Sequence, residues 1–169
     1  MTKSVIRLVS ALSIIILLAG CTTAPQLTPM QKREITSRLM DSDYDNTYRA
    51  TLTILQDQGY IIKNTDMSTG LINAVIDRES SGGSQVVQSI FLGYISDKGS
   101  EIDASFMINT ISDTQTEVRL NLQEAKYGQS SKWSGTGKTN VKQILDPEIF
   151  SNIFNAIQVE IKRREAMNP

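Results

Sequence analysis

Apolar and polar positions change rhythm several times along the chain, and each rhythm predicts a different element. An apolar stretch runs from Leu8 to Leu18 behind Lys3 and Arg7, shorter than the roughly 20 residues a membrane-spanning helix needs. Thr22 to Met30, with Pro25 and Pro29 among small polar residues and no apolar period, reads as an extended tether. In Arg33–Leu39, Ile35, Ser37 and Leu39 fall at a two-residue period, which predicts a short edge strand, with a helical turn as the rival. Ser42 or Asp43 then offers an N-cap to a run in which Tyr44, Tyr48, Leu52 and Leu55 recur at helical spacing until Gly59. A strand over Tyr60–Thr65, a turn over Asp66–Gly70 and a returning strand over Leu71–Asp77 complete a hairpin.

The second half repeats this vocabulary. After the flexible composition of Glu79–Gly83, the residues Val86, Val87, Ile90, Phe91 and Tyr94 follow helical spacing until Asp97–Ser100. That short helix either plugs the open face of the sheet or offers an apolar patch to a partner or to the membrane surface. Ile102, Ala104, Phe106 and Ile108, then Val118, Leu120 and Leu122, alternate with polar residues across Ser112–Asp113–Thr114, predicting an antiparallel hairpin with one wet face. Tyr127–Thr139 has loop composition around Trp133, and Lys138–Lys142 can extend as a further edge strand. Asp146 followed by Pro147 starts a last helix, whose apolar stripe is Ile149, Phe150, Ile153, Phe154, Ile157 and Ile161. Lys162, Arg163 and Arg164 sit at its negative end. The expected fold is α+β, an antiparallel sheet of four to five strands with two main helices on one face, in the order β-α-β-β-(short helix)-β-β-α.

Composition adds a location. The only cysteine is Cys21, the fourth residue of Leu18-Ala19-Gly20-Cys21, and this tetrapeptide resembles the lipobox of bacterial lipoproteins. The resemblance implies cleavage between Gly20 and Cys21, a diacylglycerol on the Cys21 sulfur, and usually a third acyl chain on the new amine. Two or three such chains at about 0.8 kcal/mol per buried methylene hold a protein to a membrane for practical purposes permanently. Thr22 stands where lipoproteins kept in the inner membrane usually carry aspartate, so the resemblance implies the outer membrane, with the domain on its periplasmic face. The expected organisation is a signal peptide over 1–20, a lipidated N-terminus and tether over 21–31, and one domain over 32–166.

Charge and residue types then exclude chemistry. Removing Lys3 and Arg7 with the leader takes 17 basic residues to 15 against 18 acidic ones, the wrong sign for nucleic acid. There is no histidine, and acylation would occupy the thiol, which removes Ser-His-Asp and Cys-His catalysis and nearly all nitrogen or sulfur metal sites. No cofactor is expected. Asp77, Glu79, Asp103 and Glu124 could pair as acid and base, although acidic residues on the outer face of a hairpin are mostly solvated. Gly137-Lys138-Thr139 matches the end of a phosphate-cradling loop, but Lys132 stands in place of its first glycine and no apolar helix follows at once, so nucleotide binding is not expected. Trp133, with Lys132 beside it to meet an anionic group, and Phe91 and Tyr94 of the insertion are the candidate partner contacts. Folding of Trp133 back onto the sheet as a lid is the equal alternative. Tyr44, Tyr48 and Tyr60 read as core and rim.

Arg33-Glu34, Leu55-Gln56-Asp57-Gln58-Gly59-Tyr60, Asp66 through Gly70-Leu71-Ile72, Asp146-Pro147-Glu148 and Phe150–Phe154 appear in that order. Together they resemble an uncharacterised group of small envelope lipoproteins, and in outline the repeated helix-grip domain of the BamC-like lipoproteins. That family carries two such domains behind a long N-terminal segment, whereas this chain has room for one. The resemblance implies a non-catalytic helix-on-sheet module. The functional expectation is a scaffold or accessory subunit bound to an envelope protein. A carrier of a lipid or other apolar ligand between last helix and sheet is the alternative, and a carboxylate-based hydrolase the lesser one.

Overall fold

The computed structural model describes residues 27–77, 100–127 and 138–167. Within them the elements run α1 (Pro29–Thr36), β1 (Ser37–Met40), α2 (Tyr44–Asp57), β2 (Ile61–Asp66), β3 (Leu71–Asp77), β4 (Ser100–Ser112), β5 (Gln115–Tyr127), β6 (Lys138–Ile144) and α3 (Pro147–Met167). The architecture is α+β, with six antiparallel strands in one sheet among the described residues. Its main path is β1-β5-β4-β3-β2, and β6 also pairs with β5.

Several expectations are corrected. Residues 33–36 are helical rather than strand, and the tether expected through residue 31 gives way to helix at Pro29. The cause is local: the Thr28 hydroxyl accepts from the Gln31 amide while the Gln31 side chain accepts from the Thr28 amide. This reciprocal cap, with proline in the first turn, starts a helix that a short two-residue alternation cannot prevent. In the strand that remains, Leu39 is exposed and Met40 is fully buried, so the apolar side of β1 is the opposite one from that expected. Among the described residues the sheet has six strands rather than four to five. β5 is 13 residues long, β1 pairs only with Thr116–Arg119, and β6 takes the same edge of β5 from Leu122 to Tyr127. Among the described residues the order therefore begins with a helix, and the edge strand that Lys138–Lys142 can form is present as β6 ahead of the last helix. The short helix expected around Phe91 lies outside the described residues.

The remaining local signals form as their residues dictate. Asp43 caps α2 by accepting from the Asn46 amide at 2.9 Å. The helix ends with Tyr60 N–H on the Leu55 carbonyl and Gly59 N–H on the Gln56 carbonyl, at Gly59 φ 79°. This is the paired closure that a left-handed glycine permits. Asp66 turns the chain between β2 and β3 by accepting from the amide and hydroxyl of Ser68. These bonds hold its carboxyl below the usual range. Asp146 accepts from the Glu148 amide at the start of α3.

Register builds the core. Ile72, Phe106 and Leu120 lie in one cross-strand row, and Ala74, Ala104, Leu122 and Ile144 in the next. These residues form one buried cluster with Tyr48 and Leu55 of α2 and with Ile149, Phe150, Ile153, Phe154, Ile157 and Ile161 of α3. Each large side chain so buried contributes about 1.5–3 kcal/mol relative to exposure. On the other face Asn73 accepts from the Ser105 hydroxyl at 2.7 Å, and Gln143 donates to Asn121 at 3.1 Å. Further along that face Met107 and Arg119 are exposed. Across the sheet at β2, a register shift brackets the exposed Lys63, a bulge and a charge of the kind that discourages edge-to-edge pairing.

Candidate functional site

α2 and α3 meet at opposite ends, the positive start of one beside the negative finish of the other, which is favourable for both dipoles. The contact is polar. Arg164 Nε donates to Asn46 Oδ1 at 3.2 Å, Asn46 Nδ2 donates to Ser42 Oγ at 3.0 Å, and Ser42 Oγ donates to Glu165 Oε1 at 3.1 Å. Beneath them the Thr116 hydroxyl donates to the Ser42 carbonyl at 2.8 Å, tying the loop before α2 to β5. Above them opens a cleft of about 440 Å³ lined by Asp43, Asp45, Asn46, Arg49, Arg164 and Glu165. Arg49 pairs with Asp45 at 2.7 Å on its rim, and this hydrogen bond and charge hold the guanidinium above its ordinary value.

Behind the cleft, Glu160 is buried and gripped by two arginines. Arg163 reaches both of its oxygens, at 2.6 and 2.7 Å, and Arg164 stands at 3.5 Å. The Arg163 hydrogen bonds outweigh burial and hold the carboxyl below the ordinary glutamate value of 4.5. Because the folded value lies below the unfolded one, the stabilisation is complete above the unfolded value and is lost as pH falls through the folded one. Glu160→Gln is therefore expected to cost about 1–2 kcal/mol at neutral pH. In urea titrations its deficit should shrink below pH 4.5; parallel pH curves for the two proteins would contradict this pairing.

Chemically, the cleft offers charged and hydrogen-bonding groups and no activated nucleophile among its lining. Ser42 is buried and uses its hydroxyl as both donor and acceptor within the chain of bonds, so it is not presented as a nucleophile. The carboxylates have standing tasks: Asp43 caps the helix, Asp45 holds Arg49 and Glu165 holds Ser42. The lining carries both signs, Asp43, Asp45 and Glu165 with Arg49 and Arg164, a pattern to which a polar protein surface of complementary charge would be suited.

The residues expected to carry function are distributed differently. Gly20, Cys21, Glu79, Phe91, Tyr94, Lys132 and Trp133 lie outside the described residues. Asp77 ends β3 opposite Glu101. Asp103 pairs with Val75 and Gln123 on the outer face, half-buried, whereas Glu124 sits opposite Ile102 on the core side and is buried. The sheet thus puts Asp103 and Glu124 on opposite faces, where they cannot share a substrate. Glu124 also departs from the expected solvated position. Lys138 and Thr139 open β6, paired with Tyr127 and Lys126, whereas a phosphate-cradling loop opens a helix. Tyr48 and Tyr60 are buried; Tyr44 donates to the Met67 carbonyl and Tyr48 to that of Leu71, fastening α2 to the β2–β3 turn. Among the described residues no group of three or more potential ligands could hold a metal ion, and no helix is long and apolar enough to cross a membrane.

The Asp43 cap and the basic end of the last helix are visible in the sequence, but their meeting is not. It depends on tertiary packing that brings Asn46 and Arg164, 118 residues apart in the sequence, into hydrogen-bond contact. Compared with known proteins, the chain matches no protein-family model and no curated protein.

Proposed function

We propose that this chain is a non-enzymatic lipoprotein of the outer membrane, anchored through acylated Cys21. Its domain faces the periplasm and acts as a scaffold or accessory subunit of an envelope protein complex. The observation that carries the reading is Leu18-Ala19-Gly20-Cys21 placed immediately ahead of a folded domain whose first helix is capped at Thr28. In this reading the two longer helices cover one face of the sheet. The charged cleft at their junction, together with Trp133, Lys132, Phe91 and Tyr94, meets the partner. The cleft favours a protein partner over a small apolar ligand because its lining is charged and its hydrogen bonds are already formed. No cofactor, nucleotide or nucleic acid enters the reading.

Photocrosslinking in living cells tests it, with the probe at Arg49, Phe91 or Trp133 in turn and expression held at the native level. One envelope protein should be recovered from Arg49 and from at least one of the other two positions. Recovery of no protein from any of the three would defeat the scaffold reading.

A further inference from the structure

We infer that the surface formed by α1 and β1 lies against the phospholipid leaflet that holds the anchor, as a second and non-covalent membrane contact. The inference rests on acylation of Cys21 as proposed above.

Chain length supplies the first argument. Seven residues, Thr22 to Thr28, separate Cys21 from α1, and at most 3.3–3.6 Å each they reach about 25 Å. As a flexible coil they would average only about 15 Å. A compact domain of roughly 140 residues has a radius of gyration near 14 Å, hence a diameter of roughly 37 Å. The tether is shorter than the domain is wide, so the α1 end is held close to the lipid in every orientation.

What stands at that end suits an interface. A groove of about 270 Å³ is lined by Met30, Arg33, Glu34, Ser37, Arg38, Leu39 and Glu117. Met30 is 72% exposed and Leu39 52%, two large apolar side chains that line the same groove. Leu27, just ahead of the cap, is exposed as well. Charged groups of both signs share the groove. Glu34 and Glu117 line it with Arg33, which is 60% exposed while reaching Glu117 at 3.3 Å. Arg38 lines it too, its guanidinium over the Phe154 ring at 5.6 Å, while Lys32 of α1 is exposed. Apolar tips near the exposed cations Lys32 and Arg33 match the boundary between acyl chains and phosphates, where apolar groups sink 5–10 Å and cations stay at headgroup level. The same side of the molecule carries a sheet edge: among the described residues no strand pairs with the outer side of β1 or β6, and Val141 of β6 is exposed there. Apposition to the leaflet would keep that edge from meeting another chain.

The test uses the full mature lipoprotein in vesicles, mostly phosphatidylethanolamine with a minority of phosphatidylglycerol. An environment-sensitive fluorophore is placed on a single introduced cysteine, the native one being blocked as a thioether. Met30→Cys and Leu39→Cys report the groove. Ile61→Cys, on β2 four strand spacings or about 19 Å away, and Val159→Cys, exposed on α3, are the references. Spin-labelled lipid should quench positions 30 and 39 roughly twofold and leave 61 and 159 nearly unchanged, as burial to interfacial depth requires. Intact mass of the same samples reads the acyl chains separately. An acylated protein in which all four positions are quenched alike, or none is, overturns the docking and leaves the anchor standing. An unacylated protein overturns both. Quenching at 30 and 39 that disappears as protein is diluted into excess lipid assigns the groove to a second copy of the chain and likewise overturns the lipid contact.

Discussion

Gly70→Ala is expected to remove about 3–4 kcal/mol of folding stability, a large part of the 5–15 kcal/mol of an ordinary domain. Two separate causes act. Gly70 has φ 77°, a left-handed conformation that costs a residue with a Cβ about 1–2 kcal/mol. An alanine Cβ there would also stand 2.0 Å from the Ile108 carbonyl oxygen and 3.0 Å from its carbon, both backbone atoms that no rotamer change can clear. The only relief is to part β3 from β4. That would break the Ile108 N–H bond to the Gly70 carbonyl and disturb the Leu71 carbonyl that Tyr48 holds. Gly59 supplies the comparison, for its φ is 79° but nothing lies within 4 Å of its would-be Cβ. Gly59→Ala should therefore lose only about 1 kcal/mol. Urea denaturation of both variants measures the difference; equal losses would show that the close approach at Ile108 contributes nothing.

These glycines also mark what a one-dimensional reading can and cannot see. That each ends or turns an element is legible, because Gly59 follows a helical period and Gly70 follows an aspartate turn. That only one of them is pressed against a neighbouring strand depends on register, which pairs Leu71 with Met107. The same division holds elsewhere. The alternation in β4 and β5 and the stripe of α3 place most of the core correctly. Where a segment is short, local hydrogen bonding outweighs periodicity. Ile35, Ser37 and Leu39 alternate as a strand would, yet the Thr28–Gln31 cap makes the first of them helical and β1 turns Leu39 outward. Glu124 shows the opposite limit, since continuing the even-numbered face of β5 past Leu122 places a carboxylate on the core side. The charged cleft was least legible of all. Its cap and its arginines are separate local signals, and only the packing of α2 on α3 makes them neighbours.

Cys21→Ser is expected to abolish acylation outright, because a hydroxyl in place of the thiol cannot form the thioether on which the anchor depends. At about 0.8 kcal/mol per buried methylene, a single chain binds membranes marginally while two or three bind almost irreversibly, so the change in membrane retention should be close to complete. Cells fed an alkyne analogue of palmitate should label the wild-type protein and leave the variant unlabelled. Intact mass should show the wild type beginning at residue 21 and the variant still carrying residues 1–20. Folding should be untouched, since Cys21 precedes the Thr28 cap by seven residues, and the two purified domains should melt together. The substitution also separates the two membrane contacts. A groove with only Met30 and Leu39 to insert has too little apolar area to hold a soluble domain on a bilayer unaided. It becomes effective when a tether of about 25 Å keeps it at high local concentration beside the lipid. Once the leader has been removed from the variant by design, a fluorophore at position 30 should lose its lipid quenching entirely. Persistence of that quenching without the anchor would mean that the groove binds membranes in its own right.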